Sequence, residues 1–398
     1  MCYVSIETGI KRAFLRLLYF SFIIKEKMEV NKMNKNKSLL MNNQQETRKE
    51  LQVIELCAGI GQTSLALQQA CEALGIKLVI KAFCEIDKFA TQGYRALHPN
   101  VIEWIEDMTK ASFKGRYCDV LLATTPCQGF SLLGKRDGFK KVKGNDSAII
   151  WHTFRLLDEL EEKPKIIFFE NVKGMVCKKN QKDFQIFVNE LEKRGYKVQY
   201  KVLDAQDYGV PQHRERVYIV ATLDDVEFDF PTKEVLKVFL KDILEKDVSS
   251  KFMMRNMEKK INGCNGRNRS VRVHNPSYAN VAYTLTTKSR GQNNNNYVYL
   301  DDVSNDNIIR FTPKNNSSLD EFKRYPIRSL SRLEQARLMG MSDEDAHKLD
   351  FISNTQFSKQ MGNGIVIPVV EKIFVNVLKA YMEQYDDFLR EEQKRKIA

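Results

Sequence analysis

Between Leu51 and Asp225 the apolar residues alternate between short unbroken runs and longer stretches where they return every three or four positions. Leu51–Cys57, Leu78–Cys84, Val120–Ala123, Ile166–Phe169, Lys197–Leu203 and Val217–Ala221 read as strands. Thr63–Leu74, Ala148–Glu161 and Gln181–Arg194 have helical period and length. This alternation predicts an α/β fold, a doubly wound, largely parallel sheet with its site at the carboxyl ends of the strands. After Asp225 the alternation stops. Residues 226–325 carry Gly263, Gly266, Gly291 and the run Asn293–Asn296, with only short β-like pieces at Val281–Thr286 and Tyr297–Leu300, so a second, smaller, loop-rich domain is expected there. Helical spacing resumes at Ser331–Met339, and Ile367–Arg395 predicts a long amphipathic helix able to pack back on the first domain. The expected divisions are 1–47, 48–225, 226–325 and 326–398.

Composition narrows the class. With 43% hydrophobic and 29% charged residues over 398 positions, the chain is neither disordered, collagenous nor a disulfide scaffold. The net charge of +12 is concentrated in residues 1–50 and 251–290, and the latter window sets nine basic residues against Glu258 alone. Such one-sidedness suits a polyanionic partner, although a solvated face is the plainer explanation. The eight cysteines show no CxxC pair and no Cys/His cluster, which argues against structural disulfides and against a metal site, and fits a reducing cytoplasm. Ala13–Ile24 is too short to span a bilayer and contains Arg16, so no membrane association is expected. Residues 1–47 read as a dispensable or disordered basic extension, or as an upstream start in place of Met28, Met33 or Met41.

Several segments carry candidate chemistry. Glu55-Leu-Cys-Ala-Gly-Ile-Gly61 closes a strand and opens a helix, and its glycines allow close backbone approach to a ligand. The three-glycine phosphate fingerprint is incomplete, which favours S-adenosylmethionine over a dinucleotide. The second strand ends in Phe83-Cys-Glu85-Ile86-Asp87, with Glu85 where a ribose diol would lie, and Asp107-Met108 follows with a carboxylate for an adenine amino group. Either acid alone is more simply a helix cap. Thr125-Pro-Cys127-Gln128-Gly-Phe-Ser131 follows a buried strand, so Cys127 is a loop nucleophile candidate; Gly134-Lys135-Arg136-Asp-Gly138 is then a lid or a plain polar loop. Glu170 follows four apolar residues, where desolvation favours its protonated form. Arg214 and Arg216 alternate ahead of the next strand, with surface salt bridges as the bland alternative.

Together these segments resemble the C5 cytosine-specific DNA methyltransferases. The likeness runs from residue 51 to about 375 and is weakest across 226–325. Seven elements occur in the family's order: the glycine turn, the Glu85 segment, Asp107, the Pro-Cys-Gln loop, Glu170-Asn-Val, Gln212-His-Arg214-Glu-Arg216, and Gln360-Met-Gly-Asn363-Gly. Ile327–Gly340 also resembles the stretch joining target recognition to the catalytic domain.

The resemblance implies Cys127 as nucleophile, Glu170 on the cytosine N3 and amino edge, and Arg216 at O2 with Arg214 supporting. It implies S-adenosylmethionine held by Cys57, Gly59, Gly61, Glu85, Ile86, Asp107, Met108 and Asn363. Double-stranded DNA would meet Gln128, Ser131, Lys135 and Arg136 from the catalytic loop. From the basic window, Arg267, Arg269, Arg272, Lys288 and Arg290 would join them. A monomer is expected, with a cognate restriction endonuclease as a candidate partner.

Four departures stand out. Cys57 replaces the usual phenylalanine, Ile86 a common large aromatic, and Thr125 the first proline of Pro-Pro-Cys-Gln; Asn145–Ile150 lacks an arginine after Asp146. Two rivals are a related tRNA cytosine methyltransferase, which usually lacks a long recognition insertion, and a catalytically dead DNA-binding module, which would have eroded Cys127, Glu170 or Arg216.

Overall fold

The computed structural model describes residues 49–126, 149–254, 271–287, 296–302, 308–311 and 326–397. Cys127, Gln128, Ser131, Lys135, Arg136, Arg267, Arg269, Lys288 and Arg290 lie outside the described residues, as does the 1–47 extension.

The first half builds β1 (Lys49–Leu56), α1 (Gln62–Ala73), β2 (Ile76–Cys84), α2 (Lys88–Leu97), β3 (Glu103–Ile105), β4 (Val120–Ala123), α3 (Ile149–Glu159), β5 (Ile166–Val172), α4 (Gln181–Glu192), β6 (Lys197–Asp204), β7 (Gln212–His213) and β8 (Glu215–Thr222). Seven of the strands form one sheet in the order β3-β2-β1-β4-β5-β8-β6. The pairs from β3 through β5 are parallel, whereas β8 runs antiparallel to both its neighbours. The reversal has a local cause: the turn between β6 and β8 passes through Gly209, at a φ of 87°, with no crossover helix to restore the direction. As a result β8 starts, rather than ends, at the functional edge of the sheet.

Strand alternation assigns the two faces. Val53, Phe83, Val120, Leu122, Phe168 and Val220 pack with Leu67, Tyr94 and Phe374 on one face. Ile54, Leu56, Leu121, Ile167, Phe169 and Ile219 pack with Phe154, Phe187 and Leu191 on the other. Phe168 is fully buried, with its ring centroid 4.9 Å from that of Phe374, and truncating a side chain so placed costs about 3–5 kcal/mol. The sheet is therefore doubly wound.

Beyond β8 come α5 (Leu240–Ile243), β9 (Val271–His274), β10 (Ala282–Tyr283), β11 (Tyr297–Tyr299), β12 (Ile308–Phe311), β13 (Ile327–Ser329), α6 (Arg332–Arg337), α7 (Asp343–His347), α8 (Asn354–Asn363) and α9 (Ile367–Ile397). A four-stranded sheet in the order β12-β9-β11-β13 forms the second, smaller unit. Its last strand lies at 327–329, beyond the 226–325 segment, while Phe228 near the start of that segment lies on the large sheet, held through both backbone groups by the Gln199 side chain. β10 pairs in parallel with β7 and so joins the two units. The long helix α9 packs back on the first domain, where the Tyr381 hydroxyl donates to the carbonyls of Lys165 (2.6 Å) and Leu223 (2.9 Å). Among the described residues no helix is long and apolar enough to cross a membrane, and no cluster of His, Cys, Asp and Glu could hold a metal.

Candidate active site

Three loops meet where β1, β2 and β4 end. The first leaves β1 through residues that take positive φ: Cys57 at 53°, Gly59 at 55° and Gly61 at 83°. The two glycines differ in purpose. A Cβ at Gly59 would meet nothing within 4 Å, so its backbone lies open to a ligand. A Cβ at Gly61 would come 2.5 Å from the His98 ring and 2.8 Å from Tyr94, so packing against α2 demands glycine there. Beneath the turn, the fully buried Glu55 carboxylate accepts hydrogen bonds from the Ser64 hydroxyl and from the Tyr94 hydroxyl (3.1 Å). Burial pushes the Glu55 carboxyl up to about 7 against these bonds, and pushes His98 down to about 4. Composition alone gave no sign of this polar network under the turn.

The second loop carries Glu85. Its carboxylate accepts from the Gly59 N–H (2.8 Å) and the Asp87 N–H (2.7 Å), tying the ends of β1 and β2 together. Its backbone is fixed as well: the Trp104 indole donates to its carbonyl at 3.1 Å, and its N–H donates to the Ile105 carbonyl at 3.1 Å. Burial raises its pKa above the ordinary value despite the backbone donors. Met108 is buried with its sulfur 3.4 Å from the Cys57 thiol, so these two candidates touch. Asp107 is held below its ordinary value by the Thr109 hydroxyl (2.7 Å) and N–H (2.9 Å). Ile86 is 71% exposed. Each Glu85 oxygen spends one acceptor site on a backbone N–H and keeps another for a diol. Together with the open face at Gly59, this donor set fits a nucleoside-bearing methyl donor.

The C-terminal segment closes one side. Gly362 lies so near 286–287 that a Cβ there would be 2.3 Å from the Thr286 carbonyl carbon, and Asn363 is exposed in the last turn of α8. Arg214, 2% exposed, donates to the carbonyls of Leu285 (2.9 Å), Gly362 (3.2 Å) and Gly364 (2.5 Å). Its guanidinium therefore fastens three segments together, which is support rather than contact with a substrate.

Next to the loop that leaves β4, the antiparallel register of β5 and β8 sets Glu170 opposite Tyr218 and Val172 opposite Arg216, so Glu170 and Arg216 share a face two pairs apart. The Arg216 Nε lies 3.1 Å from Glu170 Oε1, with both side chains largely buried. Burial raises the Glu170 pKa, while Arg216 and Arg214 oppose the rise. Asn171, which the sequence reading left without a role of its own, donates through Nδ2 to the Thr125 carbonyl at 3.4 Å. This bond ties the backbone two residues before Cys127 to the strand that carries Glu170.

Of the basic-window candidates, Arg272 is described: it lies on β9 with its guanidinium 4.0 Å from the Tyr283 ring centroid. That stacking ties β9 to β10 within the small unit.

Comparison with known proteins agrees with this arrangement. Type II methyltransferase M.NlaX of Neisseria lactamica is 31% identical over 344 residues, covering 84% of this chain and 98% of that protein. Type II methyltransferase M2.ScrFI of Lactococcus lactis subsp. cremoris is 31% identical over 272 residues, 66% of this chain and 67% of the relative. Among solved structures, the Entamoeba histolytica methyltransferase EhMeth aligns with a TM-score of 0.66 at 18% identity, covering 86% of this chain and 99% of its own. The S. pombe Dnmt2 methyltransferase aligns at 0.60 and 20% identity over 81% of this chain and 96% of its own, and both likenesses speak to the fold. Residues 51–379, which span the glycine turn, Glu85, Glu170, Arg216 and Asn363, match the family described as C-5 cytosine-specific DNA methylase, and the chain belongs to that family of DNA cytosine-5-methyltransferases.

Proposed function

We propose that this enzyme methylates C5 of a cytosine flipped out of a specific double-stranded DNA sequence, through a covalent adduct between Cys127 and C6. The observation that carries this reading is the Glu170–Arg216 pair at 3.1 Å, with Asn171 bonded to the Thr125 carbonyl just ahead of Cys127. S-adenosylmethionine, when bound, supplies an electrophilic methyl carbon. Glu85 would hold its ribose, Asp107 and Met108 its adenine, and Cys57, Gly59 and Asn363 the surface against it.

Cytosine C5 is a poor nucleophile. Thiolate addition by Cys127 at C6, with a proton delivered to N3 by Glu170, turns the ring into an enamine-like nucleophile at C5. Burial equips Glu170 to keep that proton, and Arg216, beside it, is suited to the base O2. After C5 takes the methyl group, the C5 proton passes to water, Cys127 leaves as thiolate and the N3 proton returns to Glu170, which restores the aromatic ring and the acid. C6 cannot be reached in a stacked duplex, so the base must leave the helix, with residues 134–138 closing over it. The four-stranded unit with residues 226–325 serves as the target-recognition domain, and its size favours duplex DNA over tRNA. A restriction endonuclease of matching specificity is the natural companion.

The test is a duplex carrying 5-fluorocytosine at the target, where fluorine blocks the elimination. With S-adenosylmethionine present, a stable protein–DNA adduct should form and vanish in Cys127→Ala. An adduct that survives in this variant would remove Cys127 from the mechanism. Bisulfite sequencing of DNA from expressing cells supplies the target word.

A further inference from the structure

We propose that Lys359 is a positioning residue for the methyl donor, which rests on the reading of Glu85 as the ribose acceptor. Its ammonium meets the Asp87 carboxylate at 2.5 Å across 272 residues of sequence. Asp87 is the hinge of the second loop: its N–H donates to Glu85 Oε1 at 2.7 Å, and its other oxygen caps α2 by accepting from the N–H groups of Phe89 (2.8 Å) and Ala90 (3.2 Å). The ion pair therefore acts on the peptide that aims the Glu85 carboxylate.

Two consequences follow from where Lys359 sits. On α8 it lies one turn before Asn363, and residues four apart share a helix face. Fastening Lys359 to the second loop therefore turns the Asn363 face of α8 toward the same loop, so the ribose-side and C-terminal walls are set by one contact. The second consequence is electrostatic. Glu85 and Asp87 are two acids in one turn, where the Asp87 charge disfavours that of Glu85 while Lys359 and the α2 N–H groups hold Asp87 below its ordinary value, with the half-buried Cys57 and buried Cys84 thiols and Asp107 nearby. Lys359 is the cation that meets this group from α8 and keeps the acidic turn closed. Its side chain is 43% exposed and that of Asp87 22%, so the pair contributes little to global stability and acts on geometry.

Isothermal titration of the full chain tests this with S-adenosylmethionine, a sulfonium cation, and with S-adenosylhomocysteine, which lacks that charge. Lys359→Met should raise Kd for both ligands equally, by about three- to tenfold, in the lower part of the range for coupled neighbours because the pair is partly exposed. KM for the methyl donor should rise while kcat at saturation holds. Lys359→Arg should recover most of the affinity, and adding Asp87→Asn to Lys359→Met should cost little more. Unchanged Kd for both ligands, or tighter binding of the sulfonium alone, would overturn the proposal, the latter because it reports only the local field. Glu85→Ala separates the two levels: if it too leaves Kd unchanged, the ribose reading itself fails, whereas weakening by Glu85→Ala alone refutes only the role of Lys359.

Discussion

Glu55 offers a quantitative test of the buried network under the glycine turn. In the fold its carboxyl is fully buried and titrates at about 7 instead of 4.5, because desolvation outweighs the hydrogen bonds from Ser64 and Tyr94. The folded state thus holds a proton that the unfolded chain releases near its ordinary value. An acid whose pKa rises on folding contributes stability at low pH, and that contribution is lost as pH rises through the folded pKa. At 1.36 kcal/mol per unit the loss between pH 4.5 and 7 is on the order of 3 kcal/mol. His98 and His274, both pushed down to about 4 by burial, work in the opposite sense: each destabilises the fold as pH falls below its ordinary value, so the raw profile of the wild type mixes the two. Glu55→Gln separates them. The amide keeps the shape of the protonated acid and cannot ionise, so urea unfolding at pH 4, below both pKa values, should give nearly equal stabilities. At pH 8 the variant should be more stable by roughly 3 kcal/mol. A difference that is flat from pH 4 to 8 would refute a shifted Glu55, and one of opposite sign would mean that the ionised form is the one the fold prefers.

Further predictions follow from the same geometry. Glu170→Gln should lower single-turnover methyl transfer by about 10²–10⁴-fold, the usual contribution of a positioned acid, with a much smaller change in duplex affinity by fluorescence anisotropy; equal losses would make Glu170 structural. Gly61→Ala, facing His98 at 2.5 Å from a left-handed backbone, should destabilise by about 1–3 kcal/mol in urea titration, whereas Gly59→Ala should keep more of the stability and lose cofactor affinity in calorimetry. Arg214→Met removes the donor to three carbonyls and should increase amide exchange in residues 285 and 362–364; unchanged protection there would place the domain junction elsewhere.

How far the sequence went depended on the range of the physics involved. Strand runs and helical spacing are local, and they located six strands of the large sheet to within a few residues: Val120–Ala123 as observed, Leu78–Cys84 as Ile76–Cys84, Ile166–Phe169 as Ile166–Val172. The order of chemical residues along the chain was equally local and led to the family. The helix at Lys88–Leu97 and the short strand at Glu103–Ile105 escaped, because the buried face of the former is built largely of the small or polar Ala90, Thr91 and Gly93 and the latter is held by pairing with β2. Only tertiary structure could distinguish the two glycines of the turn, since what faces Gly61 is a histidine 37 residues away. The same holds for Arg214 and Arg216, alike in sequence and two residues apart: the antiparallel return of β8 brings one to Glu170, while the other spends its donors on carbonyls from residues 285, 362 and 364. Residue type and order along the chain determined which chemistry this protein carries; the partner each side chain meets was decided by strand register and by segments that return from far along the chain, contacts that exist only once the sheet has formed.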